Sequence, residues 1–278
     1  NPKVWEASGH IKNFTDPLVE CKKCHNRFRA DQIKNNCPDC GGELTKSKVF
    51  NLLFKTHLGP TEEESSEVYL RGELAQAMFV NFPTILQTTR KQLPFGIAAQ
   101  GKVFRNEITP GNFIFRTREF DLMEFEYFVE EKDWEKYFDY WLGEMKRWLG
   151  HIGVKSENLY FKEISQEDRA HYAQRTLDIE YQYPFGQKEL YGLAYRSDFD
   201  LKNHAEKSGH DFPKPLPHVI EPTFGLDRTL LVAMLEAYSE EEAPTSEKGE
   251  TDKRVVMKFP KWMAPFIFAL LPLSKKEE

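Results

Sequence analysis

The sequence contains no apolar run long enough to cross a membrane. Its longest apolar stretch, residues 262–273, has twelve residues and is interrupted by two prolines, whereas a membrane-spanning helix needs about twenty. No charged segment followed by an apolar one opens the chain, so nothing indicates secretion. These absences exclude an integral membrane protein and predict a cytoplasmic one.

Cysteine is scarce, and basic residues are not in excess. Four cysteines in 278 residues are too few for a disulfide scaffold. The chain has 38 basic and 44 acidic residues, a formal net charge of −6. This balance excludes a strongly basic nucleic-acid-binding coat, although not a local basic patch. Aromatic residues, in contrast, make up 14% of the chain, which favours a large core or stacking surfaces.

The chain divides by composition. Residues 1–48 are polar and hold all four cysteines, whereas residues 239–253 contain no large apolar side chain and are predicted to be an exposed loop or linker. Because residues 266–273 resemble the first strand of a further domain, we expect the chain to be a fragment of a longer protein. The expected units are a lead-in at 1–20, a cysteine-rich insert at 21–48, a main domain at 49–238, an acidic loop at 239–253 and an exit segment at 254–278.

Hydrophobic periodicity predicts a sheet flanked by helices. Helical spacing covers residues 67–82 and 134–149, and Ser165 with Asp168 resembles a capping box for a short helix ending at Gln174. Because several strands follow one another with only short turns, the sequence predicts an α+β fold with an antiparallel sheet. The strand-like runs are 101–107, 118–129, 176–184, 188–195 and 218–224.

The four cysteines follow a metal-binding spacing. They form the pattern C-x2-C-x12-C-x2-C, with two glycines after the second pair. Two such pairs let four thiolates converge tetrahedrally on zinc, as in a zinc ribbon. The alternative is four unrelated thiols in a reducing cell. Four sulfur ligands leave no open position for water, so zinc held by Cys21, Cys24, Cys37 and Cys40 would be structural.

A hairpin over residues 101–129 carries the most informative pattern. Its first strand bears Arg105 and Glu107, and its second strand alternates strictly, with Glu124 and Glu126 on an otherwise apolar face. Two carboxylates on such a face are costly to bury unless a cation meets them. The pattern indicates either a solvated face with cross-strand Arg–Glu pairs or a platform for a phosphate-bearing, base-stacking ligand.

These residues carry a resemblance to a known family. The segment FRNE at 104–107, followed by RTREF at 116–120, resembles motif 2 of the class II aminoacyl-tRNA synthetases, and GLDR at 225–228 resembles their motif 3. The segments NPKVWEASGH, YLRGELAQAMFVNF and VIEPTFGLDR are similar to glycyl-tRNA synthetases of the dimeric type. The similarity runs over residues 1–273, nearly the full chain.

The resemblance implies an activity and a set of ATP contacts. The expected reaction activates glycine with ATP to glycyl-adenylate and transfers the glycyl group to the 3′ end of tRNA(Gly). It implies Mg²⁺ with ATP, a homodimer in the full-length protein and a class II catalytic core at 49–238. Arg105 would contact the α-phosphate and Arg228 the γ-phosphate. The ATP-binding positions implied are Arg105, Asn106, Glu107, Phe115, Arg116, Thr117, Arg118, Glu119, Phe120, Glu189, Leu190, Gly225, Leu226, Asp227 and Arg228, of which Arg105, Glu107 and Arg228 are the expected catalytic residues.

The resemblance also implies how glycine is held. Since glycine has no side chain to grip, carboxylates would hold its amine, and a packed pocket would exclude larger amino acids. Glu189 and Glu221 are the implied Mg²⁺ ligands, because Mg²⁺ prefers one or two carboxylates plus phosphate oxygens. The implied glycine-binding positions are Arg29, Glu73, Phe120, Asp121, Leu122, Met123, Glu124, Glu221, Pro222, Thr223, Phe224 and Gly225.

The residues alone leave simpler interpretations open. Glu73 could be an exposed helix charge, and Arg228 could cap a carbonyl. Arg196 resembles a family arginine near the site. The sequence departs from the family pattern at Gly72, Leu74, Met78, Tyr195 and Thr223, where proline, threonine, glycine, asparagine and serine are usual. Four histidines show no ligand or triad spacing and are predicted to be surface or loop residues: His10, His57, His171 and His204.

Two other functions remain open from the sequence. One is a catalytically silent synthetase paralogue that serves as a nucleic-acid-binding accessory subunit. The other is a zinc-ribbon interaction module joined to an inert domain. The presence of Arg105, Glu107, Glu189, Glu221 and Arg228 argues against the silent paralogue, because such a copy has no chemical need for them.

Overall fold

The computed structural model describes residues 1–61, 63, 67–244, 251–264, 266 and 268–271. None of the helices in this part of the chain is long and apolar enough to span a membrane. The helices are α1 (Pro2–Ala7), α2 (His10–Asn13), α3 (Ala75–Thr89), α4 (Trp134–His151), α5 (Phe199–Ser208) and α6 (Leu226–Ala237). The strands are β1 (Thr15–Glu20), β2 (Arg27–Arg29), β3 (Lys48–Asn51), β4 (Lys55–His57), β5 (Glu67–Tyr69), β6 (Phe95–Phe104), β7 (Glu119–Val129), β8 (Leu159–Glu163), β9 (Arg175–Tyr183), β10 (Gly186–Ser197), β11 (His218–Gly225), β12 (Tyr238–Pro244) and β13 (Thr251–Met257).

A six-stranded sheet with the order β6-β7-β11-β10-β9-β8 forms the centre of the fold. Every neighbouring pair in it is antiparallel, which confirms the predicted α+β class. Strand β11 pairs with β7 so that Thr223 lies opposite Glu124. The motif 2-like and motif 3-like segments, remote in sequence, therefore become neighbours.

Helix α4 covers one face of this sheet. Its spacing places Phe138, Met145 and Leu149 on a single side, and all three are fully buried. On β7, Phe125 and Tyr127 point to the same face and pack against Trp141 of α4. This apolar layer anchors the sheet from behind.

The opposite face of β7 carries the carboxylates, as the alternation predicts. Phe128 lies on this face with no exposed surface and packs against Phe79 and Phe82 of α3. Glu124 and Glu126 share the face and are 2% and 0% exposed. The interpretation of this face as solvated is therefore excluded, and the site must be sought on this side of the sheet.

Helix α3 begins where a carboxylate from the sheet meets it. The N-cap residue Leu74 supplies no side-chain cap. Instead, the backbone N–H groups of Leu74 and Ala75 donate to Glu124 Oε2 at 2.6 and 3.0 Å. A carboxylate at this helix end satisfies orphan donors and complements the helix dipole. The strand β7 thus fixes the start of α3.

A smaller sheet, ordered β2-β1-β3, carries the cysteine-rich segment. Strands β1 and β3 pair from Thr15 opposite Asn51 to Leu18 opposite Lys48. The Asn51 amide donates to the carbonyls of His10 and Ile11. These contacts hold the N-terminal helices against the small sheet.

The structure differs from the sequence prediction at several elements. The helix predicted from residue 67 begins only at Ala75, because residues 67–69 pair with β4 as β5. Residues 165–174 form turns instead of a short helix; the Ser165 hydroxyl donates to the Asp168 carboxylate at 2.7 Å and accepts from no backbone N–H group of the described residues.

The predicted loop at 239–253 contains an exposed antiparallel ribbon, β12 with β13. Cross-strand charge contacts, such as Arg254 with Glu241, stabilise it, and residues 245–250 lie outside the described residues. Of the predicted exit strand, residues 266 and 268–271 are described and lie in no strand. Residues 265, 267 and 272–278 lie outside the described residues.

Phe128→Ala tests the packing between β7 and α3. Removing a fully buried phenylalanine leaves a cavity between two layers, and we expect the free energy of unfolding to fall by about 3–5 kcal/mol. Phe113→Ala is the matched control, since Phe113 is 80% exposed and its loss should change stability by less than about 0.5 kcal/mol. Urea unfolding measures both; equal effects would contradict this description of the core.

Candidate active site

A cavity of about 710 Å³ opens on the carboxylate side of the sheet. A second cavity of about 370 Å³ adjoins it. Glu73, Arg105, Tyr172, Glu189 and Thr223 line both. The two cavities therefore form one cleft, with arginines and aromatic rings towards one end and carboxylates at the other.

Arg105 lies at the centre of the cleft between two aromatic rings. Its guanidinium carbon is 5.2 Å from the centroid of Phe14 and 5.4 Å from that of Phe120. Its Nε donates to the Gly72 carbonyl at 3.2 Å. A Cβ at position 72 would lie 2.9 Å from Phe14 Cε1, so glycine is needed there to seat the ring beneath Arg105.

Glu107 is held by two arginines of the segment that precedes β7. Arg116 Nη1 lies 3.0 Å from Glu107 Oε2, and Arg118 Nε donates to the Glu107 carbonyl at 3.2 Å. The side chain of Glu107 is buried, which fixes the loop between β6 and β7. Its carboxylate consequently has a defined position in the wall of the cleft.

Arg228 projects from the first turn of α6 into the same cleft. Its Nη1 donates to the Glu189 carbonyl at 3.0 Å and to Glu189 Oε2 at 3.1 Å, and its guanidinium carbon lies 4.3 Å above the Phe115 ring. Although burial opposes the shift, the charge of Arg228 lowers the pKa of Glu189. The Glu189 carboxylate is therefore ionised at neutral pH.

Asp227, beside Arg228, ties α6 to the start of β7. Its Oδ2 accepts from the backbone N–H of Asp121 at 2.8 Å. The Asp121 carboxylate in turn contacts Lys102 of β6 at 2.8 Å. This chain of contacts aligns the two motif-like segments with each other.

A buried guanidinium organises the other end of the cleft. Arg196 is 0% exposed; it donates to Asp200 through Nε at 2.7 Å and to Glu221 Oε1 through Nη1 at 2.8 Å. Its Nη2 lies 3.5 Å from Glu73 Oε1. The ring of Tyr172 lies 3.6 Å from the guanidinium carbon. One cation thereby holds carboxylates from three parts of the chain.

The carboxylates in this cluster outnumber its cations. Glu73, Glu124, Glu126, Asp200 and Glu221 are all buried. Burial and the neighbouring Glu221 raise the pKa of Glu124 to about 8, and burial raises the pKa of Glu221 to about 7. Burial raises the pKa of Glu126 well above its usual value, and neither of its oxygens has a hydrogen-bond partner among the described residues. The cluster therefore contains more carboxyl groups than its own cations can neutralise.

Arg29 lines the outer part of the cleft and belongs to the small sheet. Its Nη1 lies 2.8 Å from Asp16 Oδ2, and its Nη2 lies 2.8 Å from Asp31 Oδ2. Both contacts hold the guanidinium in place.

The four cysteines converge at the tip of the small sheet, outside the cleft. Their sulfur atoms all lie within 4.8 Å of one another. Cys21 Sγ is 3.5 Å from Cys40 Sγ, and Cys24 Sγ is 3.6 Å from Cys37 Sγ. Tetrahedral zinc with bonds of about 2.3 Å places sulfurs about 3.8 Å apart, so this set has the geometry and donors that fit zinc.

Residues 54–238 match the family described as tRNA synthetase class II core domain (G, H, P, S and T). The chain belongs to this class II synthetase family. It is 46% identical to a glycine–tRNA ligase of Treponema denticola, over 100% of this chain and 64% of that protein. It is 47% identical to one of Acetivibrio thermocellus, over 99% of this chain and 67% of that protein. It thus spans about two thirds of the length of the curated relatives it matches.

A solved structure shows a similar fold. A prolyl-tRNA synthetase of Giardia lamblia in complex with prolyl-adenylate superposes with a TM-score of 0.53 at 16% identity, covering 66% of this chain and 37% of that chain. This likeness concerns the fold alone. The class II fold and the resemblance to glycyl-tRNA synthetases, both predicted from sequence, are confirmed.

Most of the residues predicted from the class II resemblance line the cleft. Asn106, Arg118, Glu119, Met123, Pro222, Phe224 and Leu226 are not among its lining residues; Met123 and Phe224 pack in the main core instead. The other predicted ATP-binding and glycine-binding positions line one or both cavities: Arg29, Glu73, Arg105, Glu107, Phe115, Arg116, Thr117, Phe120, Asp121, Leu122, Glu124, Glu189, Leu190, Glu221, Thr223, Gly225, Asp227 and Arg228.

The predicted surface location of two histidines is wrong. His10 is 1% exposed and lies beside Glu73, and His204 is 5% exposed with its Nε2 2.7 Å from Gln76 Oε1. Glu73 is likewise not an exposed helix charge, since it is buried just before α3. The contact of His10 with Glu73 and that of His204 with Gln76 join segments that are remote in sequence, so local spacing does not reveal the burial of these histidines.

Sequence reasoning also missed members of the cluster around Arg196. Asp200, Gln76 and Tyr172 all contribute to the Arg196 cluster. A signal for one of them was present: Arg196 interrupts an apolar strand, and a cation buried there needs an anionic partner, which Asp200 at the start of α5 provides.

The raised pKa values predict a pH-dependent stability. A carboxyl with a pKa of 4.5 in the unfolded chain and about 8 in the fold, as for Glu124, stabilises the fold below pH 4.5, and this stabilisation is lost as the pH rises towards 8. Relative to Glu124→Gln, the wild-type free energy of unfolding should fall by roughly 1 kcal/mol per pH unit between pH 5 and 7. Urea unfolding across this range measures it. Glu135→Gln, an exposed change on α4, should follow the wild type; parallel curves for all three proteins would contradict the buried-acid description.

Proposed function

We propose that this chain is the catalytic core of a glycine–tRNA ligase, which activates glycine with ATP to glycyl-adenylate and transfers the glycyl group to the 3′ end of tRNA(Gly). The observation that carries the proposal is the surplus of buried carboxylates at one end of a cleft whose other end presents arginines and aromatic rings. The identity to curated glycine–tRNA ligases supports it.

The carboxylate end suits the ammonium group of an amino acid. Glu73, Glu124 and Glu221 all line the smaller cavity. Because burial and mutual repulsion raise the pKa of Glu124 and Glu221, a bound cation would stabilise their ionised forms. Glycine has an ammonium group but no side chain. Its recognition would therefore rest on contacts with the ammonium group and on a pocket too small for the side chains of other amino acids.

The arginine end suits the phosphates of ATP. We propose that Arg105 contacts the α-phosphate and stabilises the charge that develops during attack by the glycine carboxylate. Arg228, which is paired with Glu189, would bind the γ-phosphate. Its contact with the Glu189 carboxylate would then be replaced by contacts with phosphate oxygens. Phe120 would stack on adenine, and Glu107 would accept from the adenine amino group.

Magnesium bound with ATP would neutralise phosphate oxygens. The ionised carboxylate of Glu189 lines both cavities and fits this ion. Glu221 fits it less well, because Arg196 occupies one of its oxygens and its side chain is 5% exposed. We therefore propose Glu189 as the Mg²⁺ ligand and Glu221 as a contact of the glycine ammonium group.

The proposal extends to the partners and units of the whole protein. Transfer to tRNA(Gly) and formation of a homodimer are proposed for the full-length protein. Within this chain we propose residues 21–48 as a zinc-ribbon-like insert and residues 49–238 as the catalytic core. The convergence of four thiol groups supports structural zinc held by Cys21, Cys24, Cys37 and Cys40.

Glycine-dependent ATP–pyrophosphate exchange tests the proposed function. Arg105→Ala should abolish exchange with a native circular dichroism spectrum. Glu73→Gln should raise the KM for glycine about ten- to a hundred-fold and change the KM for ATP little, since a charge-assisted hydrogen bond is worth about 1.5–3 kcal/mol. Glu206→Gln, an exposed change on α5, should behave as the wild type.

The outcomes separate the alternatives. Exchange that does not depend on glycine, or a fully active Arg105→Ala protein, would refute the assignment. Absence of ATP binding together with tight binding of nucleic acid would favour the silent accessory subunit.

Metal analysis tests the cysteine site. The purified protein should carry about one zinc ion per chain, and Cys37→Ser should lose it, because three thiolates hold the ion less tightly than four. Ser47→Ala, next to the same sheet, should retain zinc. Freshly purified protein without zinc would contradict the proposed ribbon.

A further inference from the structure

Tyr172 lies where the two cavities of the cleft meet, and the proposed contacts with glycine and ATP give it no role. Among the described residues that line both cavities, it has the only aromatic side chain. The charged groups near it include Glu73 and Glu221 at the carboxylate end of the cleft and Arg105 at the arginine end. The ring therefore lies beside the path between the proposed ammonium and phosphate sites.

The position of the ring is fixed by a guanidinium. The guanidinium carbon of Arg196 lies 3.6 Å from the centroid of the Tyr172 ring. Arg196 is itself held by ion pairs with Glu73, Asp200 and Glu221. Displacement of the ring would break a cation–π contact with a fully buried cation, which opposes such a movement.

The chain segment that carries Tyr172 is also held on both sides of the ring. His171 Nε2 donates to the Ser8 carbonyl at 2.7 Å, which ties the segment to the turn between α1 and α2. The backbone N–H of Gln174 donates to the Tyr195 carbonyl at 2.8 Å, which ties it to β10. The backbone on either side of Tyr172 is therefore held in place.

The side chain of Tyr172 presents an uncharged surface to the cleft. Burial raises the pKa of its phenol well above the usual value, and the neighbouring charge of Glu221 adds to the shift. The phenol is consequently neutral at the pH of an exchange assay. A neutral ring attracts a carboxylate or an ammonium group less than the charged residues around it do, so its contribution to ligand selection rests on its shape.

The sheet contributes small residues to the smaller cavity. Gly192 and Ala194 of β10 and Thr223 of β11 line it, and Gly192 lies opposite Thr223 in the ladder. A Cβ at position 192 would have only Glu189 Oε1 within 4 Å beyond its chain neighbours, at 3.9 Å. The sheet thus leaves room for a ligand here, and the ring of Tyr172 borders this room.

We propose that Tyr172 is a specificity-determining residue whose ring covers the α-carbon of the bound amino acid, so that glycine fits and an amino acid with a side chain is excluded. This inference rests on the proposed function and names the group that rejects larger substrates. With the ammonium at Glu73 and Glu221 and the carboxylate directed to the α-phosphate at Arg105, the α-carbon lies where the two cavities meet, beside the ring. A methyl group on this carbon would collide with a ring that Arg196 holds in place.

ATP–pyrophosphate exchange with glycine and with L-alanine tests this role. The measured quantity is the ratio of kcat/KM for alanine to kcat/KM for glycine. Tyr172→Ala should raise this ratio about 10- to 100-fold, because one carbon atom in a pocket typically changes discrimination by such a factor. Tyr172→Phe, which keeps the ring, should retain the wild-type ratio. Tyr140→Ala removes an aromatic side chain that is 51% exposed on α4, and this matched control should also retain the ratio.

The ratio separates selection from support of the fold. If Tyr172 only supported Arg196, its loss would lower kcat/KM for both amino acids by the same factor. An unchanged ratio in Tyr172→Ala would therefore overturn the inference and leave the proposed function intact. A wild-type protein without glycine-dependent exchange would refute the proposed function itself.

A second variant and a second measurement cover the case in which Tyr172→Ala does not fold or loses all exchange. Tyr172→Leu keeps an apolar group over Arg196 and removes the ring. Calorimetry with glycyl-sulfamoyl-adenosine and alanyl-sulfamoyl-adenosine, two non-reactive adenylate mimics, measures selection without catalysis. Tyr172→Leu should shift the ratio of the two dissociation constants in favour of the alanyl mimic, and a wild-type ratio in this variant would overturn the inference.

Discussion

The buried guanidinium of Arg196 is the interaction on which the rest of the site depends. It draws together Asp200 on α5, Glu221 on β11 and Glu73 before α3, so one side chain fixes the relative positions of three elements. Loss of one partner from such a buried group typically costs about 3–5 kcal/mol, because the remaining charges are left unpaired. The carboxyls nevertheless outnumber the cations around them. The cluster therefore holds more carboxyl groups than its own cations can pair, and a bound cation would stabilise their ionised forms.

The sheet and the arginine-bearing hairpin could be predicted from sequence, because both follow from short-range patterns. Strict alternation along β7 identified the face that bears Glu124 and Glu126, and the structure places both in the interior. The buried polar cluster could not be predicted in this way. Gln76 contacts Asp200 across 124 positions, and such pairings leave no periodicity in either segment. Burial of His10 likewise depends partly on the rings of His171 and Tyr172, which are remote in sequence.

Local composition did not predict the secondary structure correctly where contacts between strands determine it. The absence of large apolar residues between 239 and 253 indicated a loop, but opposite charges placed across from each other stabilise a ribbon. The departures from the family pattern are accommodated by packing. Met78 fills a buried position beside Val103 and Leu122, and Tyr195 stacks on Trp134 at 4.1 Å while its hydroxyl lies 2.5 Å from His218 Nδ1. Tyr195 contributes to the core on the α4 side of the sheet, and Met78 to a smaller cluster on the α3 side.

The carboxylate of Glu124 has two roles, one in the fold and one in the cleft. It accepts hydrogen bonds from the backbone N–H groups of Leu74 and Ala75 at the start of α3. It also lines the smaller cavity. A substitution that shortened this side chain to enlarge the smaller cavity would also uncap the helix. Mutations that reshape this cavity would therefore have to begin elsewhere in the cleft, or would first need compensating stability in α3. The fold thus couples the shape of the cavity to the stability of α3, because one carboxylate serves both.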